Sequence, residues 1–147
     1  MPGVRRGVRQ RRFAAKTTKE ERLARAADLD GLYLRSKWER NICRWLKLLQ
    51  SRGEIARWFF EWDEFEFPIK RGTRFYKPDF AVWETTDAYT ERAEYYYEVK
   101  GYLDAKSTTA LTRMQKYYPQ IKVLLIEKTK YAEIEAANAH LIPTWER

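Results

Sequence analysis

Two short stretches, Tyr76-Lys77-Pro78-Asp79-Phe80-Ala81-Val82-Trp83 and Glu94-Tyr95-Tyr96-Tyr97-Glu98-Val99-Lys100-Gly101, decide how this 147-residue chain is read. In the second, Tyr95, Tyr97 and Val99 alternate with Glu94, Tyr96, Glu98 and Lys100, the period-2 pattern of a strand with two unlike faces. Gly101 ends it. In the first, the apolar run after Asp79 argues for a strand rather than a turn. Pro78 fixes its own φ and biases Lys77 toward extended backbone, so Asp79 is held at a defined place in that strand.

Working outward, Arg57–Phe67 is rich in aromatics and reads as an earlier strand, with Arg71-Gly72 as the hairpin turn into Phe75–Trp83. Further upstream, Trp38, Ile42, Trp45, Leu46 and Leu49 recur at helical spacing, which predicts a helix over Lys37–Gln50 ended by Gly53. Thr18 and Glu21 have capping-box spacing, so a short helix is expected over Lys19–Leu29. Downstream, residues 84–93 are polar and turn-like. A helix over Ala105–Tyr118 stops before Pro119, Ile121–Glu127 reads as a buried strand, and Tyr131–Ala139 as a last helix. The order predicts an α/β fold, a mixed sheet with helices on its faces. Residues 1–30 form a basic arm with its short helix, and residues 31–147 one domain.

Composition narrows the chemistry. With 44% hydrophobic and 16% aromatic residues the chain can bury a core. No apolar run reaches the roughly 20 residues that span a bilayer, and no signal-peptide pattern opens the chain, so a cytoplasmic protein with no membrane partner is expected. Cys43 is the only cysteine and His140 the only histidine. An intrachain disulfide, a cysteine-rich zinc site, a paired-histidine metal site and a cysteine–histidine dyad are therefore all excluded. Any catalysis must rest on carboxylates and lysines.

The net charge is +8, and Arg5, Arg6, Arg9, Arg11, Arg12 and Lys16 carry six of those charges in a segment without acids. A basic arm on a near-neutral body fits a polyanionic partner such as nucleic acid, although a solubilising tail has the same composition. Hydrolysing a phosphodiester without histidine requires divalent metal to neutralise phosphate and activate water. Mg²⁺ prefers a few carboxylate oxygens, which Asp79 and Glu98 on neighbouring strands can supply. Lys100 lies about 6–7 Å along the same strand face as Glu98, close enough to orient the water or hold charge developing on phosphorus.

Pro78-Asp79 followed by Glu98-Val99-Lys100 resembles the PD-(D/E)XK nuclease superfamily, and small Holliday junction resolvases of phage and archaeal type most of all. The resemblance spans roughly residues 33–128. It implies a restriction-endonuclease-like sheet and an acid on the preceding helix, a position matched by Glu39 in Ser36-Lys37-Trp38-Glu39-Arg40. It further implies catalytic Glu39, Asp79, Glu98 and Lys100, the three acids binding Mg²⁺, with Mn²⁺ able to replace it. The expected partner is branched DNA, a four-way junction cut by a homodimer, because symmetric nicks need two active sites about a two-fold axis.

Several residues keep a second reading. Glu39 is three residues after Ser36 and serves equally as a capping-box glutamate. Glu98 and Lys100 could be an ordinary surface ion pair. Arg40, Lys106, Arg113 and Lys116 are candidates for phosphate contacts, or for solvated helix faces. Glu61, Glu64 and Glu66 are further metal-ligand candidates, or acids on an edge strand. Two alternatives to a resolvase remain: another endonuclease of the superfamily, of restriction, repair or transposition type, and a non-catalytic nucleic-acid-binding protein.

Overall fold

The computed structural model describes residues 18–85 and 92–147. The arginines and lysine expected at the DNA within residues 1–16 lie outside the described residues. The elements are helices α1 (Lys19–Arg25), α2 (Lys37–Ser51), α3 (Ala105–Tyr117) and α4 (Lys128–Asn138), and strands β1 (Arg57–Phe60), β2 (Phe65–Glu66), β3 (Phe75–Tyr76), β4 (Phe80–Trp83), β5 (Tyr95–Val99) and β6 (Val123–Ile126). A 3-10 turn, Ala139–Leu141, follows α4. Among these residues no helix is long and apolar enough to cross a membrane.

The protein is a mixed α/β structure, with a mixed sheet flanked by helices. The main sheet has the order β1-β4-β5-β6. The first two pairings are antiparallel and the last is parallel. A parallel pair needs a crossover, and α3 supplies it between β5 and β6. Alternation along the strands sorts side chains into two cores. Phe80, Val82, Tyr95 and Val99 join Ile42 and Leu46 of α2 and Ile134 of α4 on one face. Ala81, Trp83 and Tyr96 join Ala110 and Met114 of α3 and Phe65 and Phe67 on the other. Ala26 and Leu29, assigned from sequence to the N-terminal segment, are buried in the first core.

The expected long strands are shorter and divided. The run from Arg57 breaks at Glu61, whose φ of 47° is left-handed and leaves the ladder. Beyond it β2 pairs with β3 in a separate two-stranded hairpin. Its turn contains Gly72 at φ 78°, so the Arg71-Gly72 turn is present but serves the hairpin, not the main sheet. Pro78, which has no N–H for a ladder, separates β3 from β4. The last helix begins at Lys128, three residues earlier than expected.

A buried polar network fixes α2 to both ends of the described chain. Arg44 pairs with Asp28 at 2.9 Å and with Glu146 at 2.7 Å. Arg40 holds both oxygens of Glu146, at 2.7 and 2.9 Å. Asn41 donates to the Tyr131 hydroxyl and to the Glu146 carbonyl, both at 2.8 Å. The Tyr131 ring stacks on Trp38 with centroids 4.1 Å apart. The N-terminal turn of α2 is thereby anchored beside the end of the sheet.

Candidate active site

Asp79 and Glu98 face each other where β4 begins and β5 ends. The antiparallel register pairs Phe80 with Tyr97, so the next position outward sets Asp79 opposite Glu98. The two carboxylates are fixed by different donors. Asp79 Oδ2 accepts the Val99 amide at 2.7 Å. Glu98 Oε2 accepts the Tyr76 hydroxyl at 2.7 Å, and its Oε1 lies 3.9 Å from Lys100 Nζ. The Glu98 side chain is 7% exposed and that of Lys100 36%, so the ammonium reaches from the carboxylate toward solvent.

These groups line a cleft of about 430 Å³ between the β2–β3 hairpin and the first turn of α3. Arg35, Lys77 and Lys106 supply positive charge to its walls, and Glu61, Glu64 and Asp104 negative charge. Asp104 is committed to structure, since its Oδ1 caps α3 by accepting the Ser107 amide at 2.7 Å.

The electrostatics mark an excess of negative charge. Burial, then the charge of Glu98, push the Asp79 carboxyl up to about 8, against the lowering pull of the Val99 amide. Glu98 is also raised, by burial, while the Tyr76 hydroxyl and Lys100 oppose the shift. The charge of Glu39 raises both. Titratable groups displaced in this way inside a cleft are characteristic of functional sites, although structural networks shift them too. Two largely buried carboxylates, with one ammonium beside Glu98, are a donor set that a hard divalent cation satisfies, since Mg²⁺ needs only one or two carboxylates and completes its shell with water and phosphate.

Glu39 sits in the first turn of α2, beside its N-cap Ser36. The Ser36 hydroxyl accepts the Glu39 amide at 3.1 Å and donates to Glu39 Oε1 at 3.2 Å. Its carboxylate is outside the cleft lining, though its charge is felt there. Among the described residues no three acidic, histidine or cysteine side chains converge to hold a metal. Asp79 and Glu98 are therefore the pair available to a cation, with Glu39 at the periphery.

Of the basic residues expected at DNA, Lys106 lines the cleft and Lys116 is exposed beside Tyr117. The other two have internal partners. Arg40 is 2% exposed and occupied by Glu146, so it cannot meet a phosphate. Arg113 donates to the Thr73 carbonyl and pins α3 to the hairpin. Tyr76 was quoted in the sequence motif, but nothing in strand periodicity signals that its hydroxyl turns onto Glu98. Arg35 gave no signal either, because it precedes the helix cap in an irregular segment.

Comparison of the chain with protein-family models, with curated proteins and with solved structures gives no significant match. The chemistry of the cleft itself has to carry the functional reading.

Proposed function

We propose that this protein is a Mg²⁺-dependent endodeoxyribonuclease of PD-(D/E)XK type, acting on branched DNA as a homodimeric junction resolvase. The observation that carries the reading is the opposition of Asp79 and Glu98 across two strand ends, with Lys100 one strand-repeat beyond Glu98 on the same side. The element order around the cleft, a capped helix, antiparallel strands, a crossover helix and a parallel strand, also fits that superfamily.

Bound between Asp79 and Glu98, Mg²⁺ would supply phosphate neutralisation and an activated water. The chain's own groups do the rest. The Val99 amide and the Tyr76 hydroxyl hold the two carboxylates in fixed rotamers, so the site is organised before substrate arrives. Lys100 donates from its ammonium to the attacking water or to a non-bridging phosphate oxygen as the bond to the leaving sugar oxygen breaks. Lys106 and Arg35 hold the flanking phosphates. These contacts carry no base information, which accords with selection by DNA shape.

The test is incubation of the protein with labelled four-way junction, Y-fork and linear duplex, with Mg²⁺ or with EDTA. Paired, symmetric nicks in the junction that require Mg²⁺ are expected. Equal cleavage of all three substrates would leave a nuclease without junction selectivity, and no cleavage with either Mg²⁺ or Mn²⁺ would refute the reading.

A further inference from the structure

A second hollow, of about 570 Å³, lies between the start of α2 and helix α4. Its floor is the stacked pair Trp38 and Tyr131, and its rim carries Lys37, Lys128, His140 and Arg147. The one acid in its lining, Glu135, is engaged by the Trp145 indole N–H at 2.8 Å. Lys37, Lys128 and Arg147 are exposed, and none of them forms an ion pair among the described residues. Three uncommitted cations around an aromatic floor make a surface for a polyanion with flat groups.

Its position relative to the cleft gives the surface a direction. Val99 pairs with Ile126 in parallel register, and the Lys100 amide donates to the Ile126 carbonyl at 3.1 Å. Lys128 follows Ile126 by two residues and opens α4, just past the end of the strand that pairs with Val99. The Trp38 ring closes the gap, with carbons 3.7 Å from where a Cβ on Gly101 would lie. The groove thus lies beside the same sheet end as the cleft, its Trp38 packed against the Gly101 that follows Lys100.

We infer that the groove is the second half of the DNA-binding surface, holding the backbone of the strand after it leaves the cleft, with phosphates on Lys37, Lys128 and Arg147. This rests on the nuclease reading and assigns DNA contacts to residues the sequence had not singled out, in place of Arg40 and Arg113.

The experiment compares the wild-type protein, the Lys37→Ala/Lys128→Ala double variant and Lys130→Ala by anisotropy with fluorescein-labelled four-way junction in Ca²⁺, at several salt concentrations. Lys130 is exposed on the same helix but outside the groove. Each lost phosphate contact removes about 0.9 from the slope of log affinity against log salt. The double variant should bind at least about 10-fold more weakly with a slope shallower by about two, and Lys130→Ala should match the wild type. Unchanged affinity and slope in the double variant, or an equal loss in Lys130→Ala, would overturn the groove assignment while wild-type binding stands. Failure of the wild type to bind any DNA would instead remove the nuclease reading on which it rests.

Discussion

The Tyr76 hydroxyl donates to Glu98 Oε2 at 2.7 Å from a strand that shares no ladder with the strand carrying Glu98. The hairpin therefore sets the rotamer of a carboxylate it does not carry. Burial, then the Glu98 charge, and then this hydrogen bond hold the Tyr76 phenol well above its ordinary range. Tyr76 stays a neutral donor at any working pH.

Removing that donor should be felt at Glu98 first. Tyr76→Phe leaves a buried carboxylate oxygen short of a partner, and hydrogen bonds to charged groups contribute about 1.5–3 kcal/mol. Cleavage at subsaturating Mg²⁺ should fall by about 10-fold or more, and the acidic limb of the pH–rate profile should move to higher pH, since the Tyr76 bond lowers Glu98. A purely structural tyrosine would change the melting temperature and leave the pH profile in place.

The raised Asp79 carboxyl makes a prediction about metal-free stability. Its ordinary value is 3.8 and its folded value about 8, so between these the folded state binds a proton that the unfolded state has released. Stability conferred by that proton is present below about pH 4 and lost as pH rises toward 8. In EDTA the melting temperature should decline over that window, more gently in Asp79→Asn, whose amide oxygen can still accept the Val99 N–H. Mg²⁺ should recover stability best at the alkaline end, where no proton has to be displaced. Identical pH slopes for wild type and variant would show that Asp79 does not titrate in this way.

The polar network on α2 predicts acid sensitivity of the opposite sign. Arg44 holds Asp28 down to about 2, chiefly through its hydrogen bonds. Burial works to raise Glu146, but the bonds from Arg40 and Arg44 outweigh it, and it too is lowered. Stability from these carboxylates is present above about pH 4.5 and is lost as pH falls toward 2. Glu146→Ala leaves Arg40 and Arg44 buried without that partner, a class of change that costs about 3–5 kcal/mol. The lower end applies, because water reaches Glu146. A denaturant midpoint unchanged by Glu146→Ala would contradict the network's role.

How much of this was legible in the sequence follows from the range of each interaction. Asp79, Glu98 and Lys100 were readable because strand alternation and the flanking Pro78 and Gly101 fix their faces locally. The span of α2 was readable from its apolar period and Ser36. The role of Arg40 was not, since its partner Glu146 is 106 residues away and no local pattern links them. The same holds for Arg113, whose acceptor is the Thr73 backbone. Glu39 satisfied two local readings at once, and both keep a counterpart in the structure: it bonds with Ser36 at the helix start, and its charge acts on Asp79 and Glu98. The separate hairpin was hidden because Phe65, Phe67 and Tyr76 have strand character wherever they pair.

The central claim is tested most directly by single-turnover cleavage of a four-way junction by wild type and Asp79→Asn, with junction binding measured in parallel in Ca²⁺. The change removes one carboxylate charge and almost no volume, and it can preserve the Val99 hydrogen bond. The account predicts Mg²⁺-dependent paired nicking by the wild type, and a cleavage rate lower by at least about 10³-fold in the variant, which loses one of the two carboxylates that would hold the metal. It also predicts junction affinity equal to or tighter than wild type, because a negative charge facing phosphate has gone. Wild-type nicking rates in Asp79→Asn would contradict it.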